Sequence, residues 1–393
     1  MTAVRGQARR AGERRRTPAV DEPLVLAALA LLAVGLVMVA STSVAVAEKY
    51  DVDSWHFFVR HAAFVLLGTG LALAVQWLPL RLLERSDRLC LLASLLLLGA
   101  VLVPGLGVTV NGATRWLNLG PFRFQVVEAV KLLMIVYIAG YLARRPDFPD
   151  AGLKEALKPL LVAGLVAAIL YLQPDMGSAV VLMAILGGMV WLAGAAWKSL
   201  ALLGLATLPL VGFAALEPYR LRRLTSFGDP FADPFASGFQ LVQALIAVGR
   251  GEVAGVGIGG SVQKLFYLPE AHTDFIFAIL AEELGLLGIL AVLVLFALLV
   301  LRIFRIGLHA FAAGSPFAAF IAFGVGLWLG LQTLVSVGVN LGVLPTKGLT
   351  LPLVSSGGSS MLAVLLALGL VIRIGREFGR EPQTRRGRRA VRT

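Results

Sequence analysis

The sequence predicts an all-α polytopic membrane protein of about ten transmembrane helices, with one large outer loop between spans 7 and 8. Two observations lead to this fold class. The chain of 393 residues is 58% hydrophobic and only 15% charged, more apolar surface than a soluble fold could bury. The apolar residues also fall into long runs, and a spanning helix needs roughly 20 of them in succession.

The apolar runs give the predicted spans in order. The fifth and sixth are short and tightly joined by QPDMG, so this hairpin is the weakest part of the pattern. The spans are 23–45, 57–78, 88–105, 124–143, 158–173, 177–195, 198–216, 272–302, 316–341 and 352–374. The chain therefore divides into a basic tail (1–22), a membrane domain (23–375, with the large outer loop 217–271) and an Arg-rich tail (376–393).

The charge distribution predicts the orientation. The formal net charge is +12, and arginines crowd residues 5–16 and 373–392. In a polytopic protein such tails are typical of cytoplasmic ends near anionic lipid, so no nucleic-acid partner is expected. An even number of spans places both termini on the same side of the membrane, and the Lys/Arg bias predicts that this side is the cytoplasm. The first apolar run is too long for a cleavable signal peptide, and the single cysteine, Cys90, excludes a disulfide framework.

The outer loop 217–271 is unusual because it has roughly 55 residues, where most connections have two to eight. Within it, FQLVQALIAVG has helical spacing and is predicted to lie at the membrane interface or to re-enter the membrane. Two explanations of its cations remain open. Long loops cross membranes regardless of charge, or the cations bind an anionic ligand. These cations are Arg220, Arg222, Arg223 and Lys264.

Acidic side chains interrupt the apolar segment LPEAHTDFIFAILAEELGLLGIL. The span 272–302 would be about 46 Å long if fully helical, against a hydrocarbon core of about 30 Å. Asp274, in its first turn, is therefore expected near the outer headgroup level. Glu282 would lie about 12 Å deeper and roughly 80° around the axis, so it cannot pair with Asp274 in one site. Glu282 and Glu283 are predicted to be packing groups or relay groups.

Polar residues also occur at the outer ends of two other spans. Glu128 and Lys131 are three residues apart, so they share a helix face and can pair. They form either a lone ion pair that stabilises the bundle or, together with Asp274, the wall of an outward polar cavity. Ser355 and Ser359, in PLVSSGGSSML, lie where the last span begins. Close helix packing and a backbone-lined ligand cleft are both open there.

Other familiar signals are weak in this chain. GVGIGG at 255–260 follows no predicted strand and opens no βαβ unit, so it does not indicate dinucleotide binding. The sequence contains no P-loop motif. The four histidines are scattered, and no metal-ligand spacing is visible, so no metal site is predicted.

Several motifs together resemble the SEDS family of peptidoglycan glycosyltransferases. They are NGATRWLNLGPFRFQ followed by E..K, LQPDMGS, GFQLVQALIAVG, QKLFYLPEAHTDFIFAILAEELG and GVLPTKGLTLPLVSSGGSS. They occur in order between roughly residues 23 and 375. PTKGLTLP and YLPEAHTDFIF are more similar to the division branch than to the elongation branch. The chain departs from the family at QVVE (125–128) and VSSGGSS (354–360), where QPSE and VSYGGSS are usual.

The resemblance implies an enzyme that polymerises lipid II into β-1,4 glycan strands at the outer face of the cytoplasmic membrane, at the division septum. It implies a class B penicillin-binding protein (an FtsI-like transpeptidase) and other divisome membrane proteins as partners, with undecaprenyl pyrophosphate as leaving group. Asp274, the aspartate of TDFIF, is the implied essential acid, acting as general base. No cofactor is implied with certainty, and a divalent cation (Mg²⁺ or Mn²⁺) stays open. The candidate substrate-binding residues are Glu128, Lys131, Arg115, Arg220, Arg222, Arg223, Lys264, Lys347, Ser355 and Ser359.

The alternative function is a lipid II flippase or another transporter, because many spans, buried charges and an outward cavity serve either activity. Two features favour the polymerase. The polar residues cluster in the outer third and not at the midplane, and no inverted repeat is visible. A non-catalytic scaffold would leave Asp274 without a role.

Overall fold

The computed structural model describes residues 20–49, 51–110, 112–118, 120, 122–145, 152–198, 201, 204, 227–236 and 238–378. Most of the predicted span 198–216, the cations Arg220, Arg222 and Arg223, and most of both tails lie outside these residues. The main elements are α1 (Glu22–Lys49), α2 (His56–Ala74), α3 (Leu80–Arg85), α4 (Asp87–Leu102), β1 (Gly107–Val110), β2 (Ala113–Asn118), β3 (Arg123–Gln125), α5 (Val126–Ala143), α6 (Gly152–Leu172), α7 (Met176–Leu192), α8 (Phe239–Gly251), α9 (Ile276–Ala312), α10 (Pro316–Asn340) and α11 (Gly358–Phe378).

Helices lie at every predicted span that falls within the described residues, and the predicted helical membrane fold is confirmed. Within that part of the chain, six helices are long and apolar enough to cross a membrane. Two shorter apolar helices, α6 and α7, form the predicted hairpin around QPDMG. The predicted start of the last span at 352 is wrong. Leu353 has a φ of +64°, outside the α-helical region, and α11 begins only at Gly358.

A small antiparallel sheet, which the sequence analysis did not predict, lies between α4 and α5. Its strand order is β1-β2-β3, with Gly107 opposite Leu117 and Trp116 opposite Gln125. Strand β3 leads directly into α5, and the amide of Gln125 donates to Ser359 Oγ at 2.9 Å. The sheet thereby fixes the outer end of α5 against the start of α11.

Helices α5 and α10 form the centre of the bundle and are buried along most of their lengths. Helix α2 and the later turns of α9 lie at the periphery, where Leu66 and Leu287 are among many exposed apolar side chains. Apolar side chains on the outside are expected in a bilayer, because lipid tails are as apolar as leucine.

The two ends of the described chain lie at the same end of the bundle. Arg302, late in α9, forms an ion pair with Asp21 just before α1. Near the end of α11, Gly375 packs against Ile306, one turn beyond Arg302. Asp274 precedes α9 and therefore lies at the opposite end. We call the ends inner and outer, respectively.

Helix α9 is interrupted at Gly285, where φ is 64° and ψ is −164°. Backbone groups that the interruption leaves free are satisfied by residues 252–257, which form four hydrogen bonds of 3.0–3.2 Å with residues 282–287. A Cβ atom on Gly285 would lie 2.4 Å from the amide nitrogen of Gly255. The predicted continuous span is thus two helical pieces, and the first glycines of GVGIGG lie against the junction.

Candidate active site

Asp274 lies in the turn that precedes α9, and its backbone is held from two sides. Ser355 Oγ donates to the carbonyl of Thr273 at 2.7 Å. Asn340, the last residue of α10, donates through Nδ2 to the carbonyl of Asp274 at 3.0 Å and accepts from the amide of Ala278 at 3.0 Å. The position of Asp274 is therefore set by the ends of α9 and α10 and by the loop before α11.

The carboxylate of Asp274 lies beside Gly348 of the PTKGLTLP loop. A Cβ atom at position 348 would lie 2.9 Å from Asp274 Oδ2, so only a glycine leaves this close approach undisturbed. The preceding residue, Lys347, extends towards the start of α7, where its Cδ would be 3.7 Å from a Cβ atom on Gly177. The loop therefore connects the acid of α9 with the first turn of α7.

A second ion pair lies at the start of α7. Asp175 caps this helix by accepting from the amide of Ser178 at 3.4 Å. Arg115 of β2 approaches the same Asp175 oxygen at 3.6 Å, with 26% of the arginine side chain exposed. We call Asp274, Lys347, Asp175 and Arg115 the outer polar cluster. It combines two carboxylates with two cations contributed by four separate elements.

Behind the PTKGLTLP loop, Lys131 lies in a buried polar network. Its Nζ donates to Glu128 Oε1 at 2.9 Å and to Gln332 Oε1 at 2.7 Å, and lies 4.8 Å from the ring centre of Trp328. Gln332 in turn donates to the carbonyl of Thr350 at 2.9 Å. The predicted Glu128–Lys131 ion pair is confirmed. Glu128 is 3% exposed and Lys131 is 1% exposed, so the pair lies beneath the surface. Through Gln332 it supports the PTKGLTLP loop from behind.

Lys264 has a different environment from the outer polar cluster. Its Nζ donates to Glu283 Oε1 and to Ser41 Oγ, both at 2.8 Å, and the residue is 7% exposed. The neighbouring Glu282 accepts from Arg250 at 2.8 Å and from the amide of Val262 at 3.1 Å. Both glutamates are fully buried, as expected of packing groups. In this structure Lys264 tethers the outer loop to α9 and α1.

The structure therefore sorts the predicted site residues into groups. Asp274, Lys347 and Arg115 belong to the outer polar cluster. Ser355 and Ser359 instead form hydrogen bonds with backbone groups, Ser355 with the carbonyl of Thr273 and Ser359 with the amide of Gln125. Sequence reasoning missed Asp175, Gln332 and Asn340. Polar side chains within apolar spans are costly and therefore informative, and that signal was present at 332 and 340.

Within the described part of the chain, no group of three or more histidine, cysteine, aspartate or glutamate side chains is placed to hold a metal ion. The outer polar cluster contributes two carboxylates. Asp175 lies beside Arg115, and Asp274 lies beside the loop that carries Lys347. Its own residues can accept a proton and can stabilise an anion.

Comparison with known proteins agrees with this arrangement. The family model described as "Cell cycle protein", for FtsW, RodA and SpoVE, matches residues 22–379. A probable peptidoglycan glycosyltransferase FtsW from Halorhodospira halophila is 48% identical over 371 residues, which is 93% of this chain and 94% of that protein. A protein of the same name from Thioalkalivibrio sulfidiphilus is 50% identical over 393 residues, covering 99% and 98%.

Solved structures give the same fold. A chain in a structure on the coordination of polymerization and crosslinking by a peptidoglycan synthase complex has a TM-score of 0.76 and 33% identity, covering 92% of this chain and 99% of that one. The rod shape determining protein RodA from Thermus thermophilus has a TM-score of 0.68 and 32% identity, with the same coverage.

The helical bundle and these matches define an integral membrane protein of the SEDS type. The chain belongs to the FtsW, RodA and SpoVE family. Within this family, the relatives of 48–50% identity are FtsW proteins, and the predicted enzyme class, a peptidoglycan glycosyltransferase, is confirmed.

Proposed function

We propose that this protein polymerises lipid II into β-1,4 glycan strands at the outer face of the cytoplasmic membrane, in septal wall synthesis, with Asp274 as general base. The observation that carries the proposal is the outer polar cluster. It brings the carboxylate of Asp274 against the loop of Lys347, and Lys347 against the start of α7, where Asp175 pairs with Arg115 of β2.

The reaction requires both kinds of group. The 4-hydroxyl of one lipid II sugar attacks the anomeric carbon of a lipid-linked strand, the bond to the pyrophosphate oxygen breaks, and the configuration inverts. A carboxylate that takes the hydroxyl proton typically contributes 10²–10⁴-fold to the rate. Lys347 and Arg115 would stabilise the charge that grows on undecaprenyl pyrophosphate as it leaves. Arginine can bind such an anion through two parallel hydrogen bonds.

The location of the cluster supports action on the outer leaflet. Both ends of the described chain lie at the inner end of the bundle. One arginine-rich tail precedes the first end in the sequence, and the other follows the second. Positive-inside orientation would make both termini cytoplasmic and the outer polar cluster extracytoplasmic. A lipid pyrophosphate, with its tail in the bilayer, reaches a carboxylate at headgroup level.

The proposed partner is a class B penicillin-binding protein, an FtsI-like transpeptidase, and other divisome membrane proteins follow from the septal role. A solved relative described as part of a peptidoglycan synthase complex supports this assignment. A divalent cation, Mg²⁺ or Mn²⁺, is compatible with pyrophosphate departure.

The test is the substitution Asp274→Asn, which preserves shape and removes the basicity. We expect glycan chain formation from purified lipid II to fall by about 10²-fold or more, with unchanged insertion and melting. Asp51→Asn is the matched control, since Asp51 is exposed near the outer end of α1. Both variants are assayed with the transpeptidase partner present.

Polymerisation is separated from transport by supplying lipid II in detergent, where no leaflet crossing exists. A polymerase forms glycan chains there and a flippase has nothing to do. Near wild-type polymerisation by Asp274→Asn would remove the general-base role. No polymerisation by the unmodified protein, together with Asp274-dependent translocation in vesicles, would establish the transporter instead.

A further inference from the structure

A cavity of about 680 Å³ lies at the inner end of the bundle, where α4 begins and α5 ends. It is lined by Arg88, Leu91, Tyr137, Tyr141, Arg144 and Arg145. A second space of about 490 Å³ is lined by Arg81, Glu84, Arg85, Asp87, Arg88 and Arg144. The two share Arg88 and Arg144, and we call them together the inner arginine cavity.

Two of its arginines are anchored. Arg144 forms an ion pair with Asp87 at 2.5 Å, and the side chain of Asp87 is only 3% exposed. Arg145 donates to Glu155 at 3.0 Å and stacks on the ring of Tyr141 at 3.8 Å. A hydrogen bond from Lys158 lowers the pKa of Glu155, which keeps this carboxylate ionised. The guanidinium groups of Arg144 and Arg145 therefore have fixed positions on the cavity wall.

The other three arginines, Arg81, Arg85 and Arg88, are exposed, and no hydrogen bond or ion pair joins their side chains to any residue that the structure describes. Five arginines against Glu84 and Asp87 leave the lining with a formal charge of 5 − 2 = +3. Cations gathered on a concave surface raise the local concentration of anions. Guanidinium forks match the geometry of phosphate oxygens.

The surroundings of the cavity are apolar. Leu91 and the two tyrosine rings line its wall. Next to it on α3 and α4, Leu82, Leu89 and Leu92 are 53%, 64% and 52% exposed, as expected of side chains that face lipid. A ligand that fits both surfaces has a phosphate headgroup and acyl chains. A free nucleotide would leave the leucine surface unused.

We propose that the inner arginine cavity binds an anionic glycerophospholipid from the cytoplasmic leaflet, and that its two compartments suit a lipid with two phosphates, of the cardiolipin type. Arg88 and Arg144, which line both compartments, would bridge the two phosphates. Basic pockets between transmembrane helices on the cytoplasmic side bind such headgroups in other membrane proteins. The site lies at the end of the bundle opposite Asp274 and does not depend on the proposed reaction.

The experiment uses the full chain in detergent, titrated with cardiolipin or phosphatidylglycerol, with bound lipid counted by native mass spectrometry. Arg85→Gln and Arg88→Gln are the test variants, because neither arginine has a partner in the described chain. Arg305→Gln is the control, since Arg305 is an exposed arginine at the same end but outside the cavity. Thermal melting in delipidated detergent checks that the two single variants, the double variant and the control all fold.

We expect cardiolipin affinity to fall about fivefold for each test variant and roughly thirtyfold for the pair, with little change for the control. Equal losses in the control would show only general attraction of basic residues to lipid, and would overturn the site. So would unchanged affinity in the double variant. If undecaprenyl pyrophosphate displaces cardiolipin with the same arginine dependence and higher affinity, a polyprenyl carrier is the ligand and the glycerophospholipid assignment is wrong.

Discussion

The buried pair of Glu128 and Lys131 gives the sharpest prediction. Replacing Lys131 by methionine keeps most of the side-chain volume but leaves the carboxylate of Glu128 without its cation, at 3% exposure. Losing one partner of a buried ion pair costs about 3–5 kcal/mol, since the remaining charge stays desolvated. The Lys131→Met variant should therefore lose that much free energy of unfolding.

The reciprocal change should cost less. In Glu128→Gln, Lys131 still contacts Gln332 at 2.7 Å and the ring of Trp328 at 4.8 Å, so its charge remains partly compensated. We expect a loss of about 1–3 kcal/mol. The double variant has no unpaired charge, and its loss should fall short of the sum of the two single losses by about 0.5–3 kcal/mol.

The assay is reversible unfolding in mixed micelles, followed by tryptophan fluorescence. Lys158→Met is the matched control, because Lys158 pairs with Glu155 at the same i,i+3 spacing but with 57% of its side chain exposed. It should change stability little, since exposed pairs are solvent-screened. Strict additivity of the double variant, or equal effects of Lys131→Met and Lys158→Met, would refute the reasoning.

Three further predictions concern the outer half of the bundle. Gly285→Ala should destabilise the protein by about 3 kcal/mol or more, because φ is +64° there and the added Cβ would lie 2.4 Å from a backbone nitrogen. Gly164→Ala is the control: a Cβ atom there would have no neighbouring atom within 4 Å, so this variant should melt as the unmodified protein does. Asn340→Ala should lose about 1–3 kcal/mol of unfolding free energy and lower glycan formation per folded molecule, since the start of α9 loses two hydrogen bonds. Unchanged rates of glycan formation would show that Asn340 does not position Asp274. Arg115→Lys and Lys347→Gln should each reduce the rate of polymerisation without changing the membrane topology measured by a reporter, because lysine lacks the bidentate fork and glutamine lacks the charge. Normal rates of polymerisation in both variants would exclude a contact between these side chains and the pyrophosphate.

Much of the fold was predictable because membrane spans are a local property of the sequence. The apolar run of α10 predicts a helix by length alone, and Pro316–Asn340 matches the predicted 316–341 closely. The Glu128–Lys131 pair followed from helical spacing, and FQLVQALIAVG forms the predicted helix α8. In each case the relevant interactions lie within a few residues.

The remainder depends on contacts between distant segments. The interruption at Gly285 needs residues 252–257 to satisfy the free backbone groups, and nothing in the apolar run of α9 indicates it. Lys264 looked like a free outward cation, but Glu283, 19 residues later, pairs with it. The link from Lys131 to Gln332 spans 201 residues. The sequence can show that such polar groups need partners, but only the packing of the helices identifies them.

The junction in α9 also bears on how the chain assembles in the membrane. Glu282 and Glu283 are fully buried about two turns into α9, the longest helix that the structure describes, where a bare carboxylate would resist insertion. Their cationic partners, Arg250 and Lys264, precede them in the sequence. During synthesis from the N-terminus, each acid therefore emerges after the side chain that neutralises it.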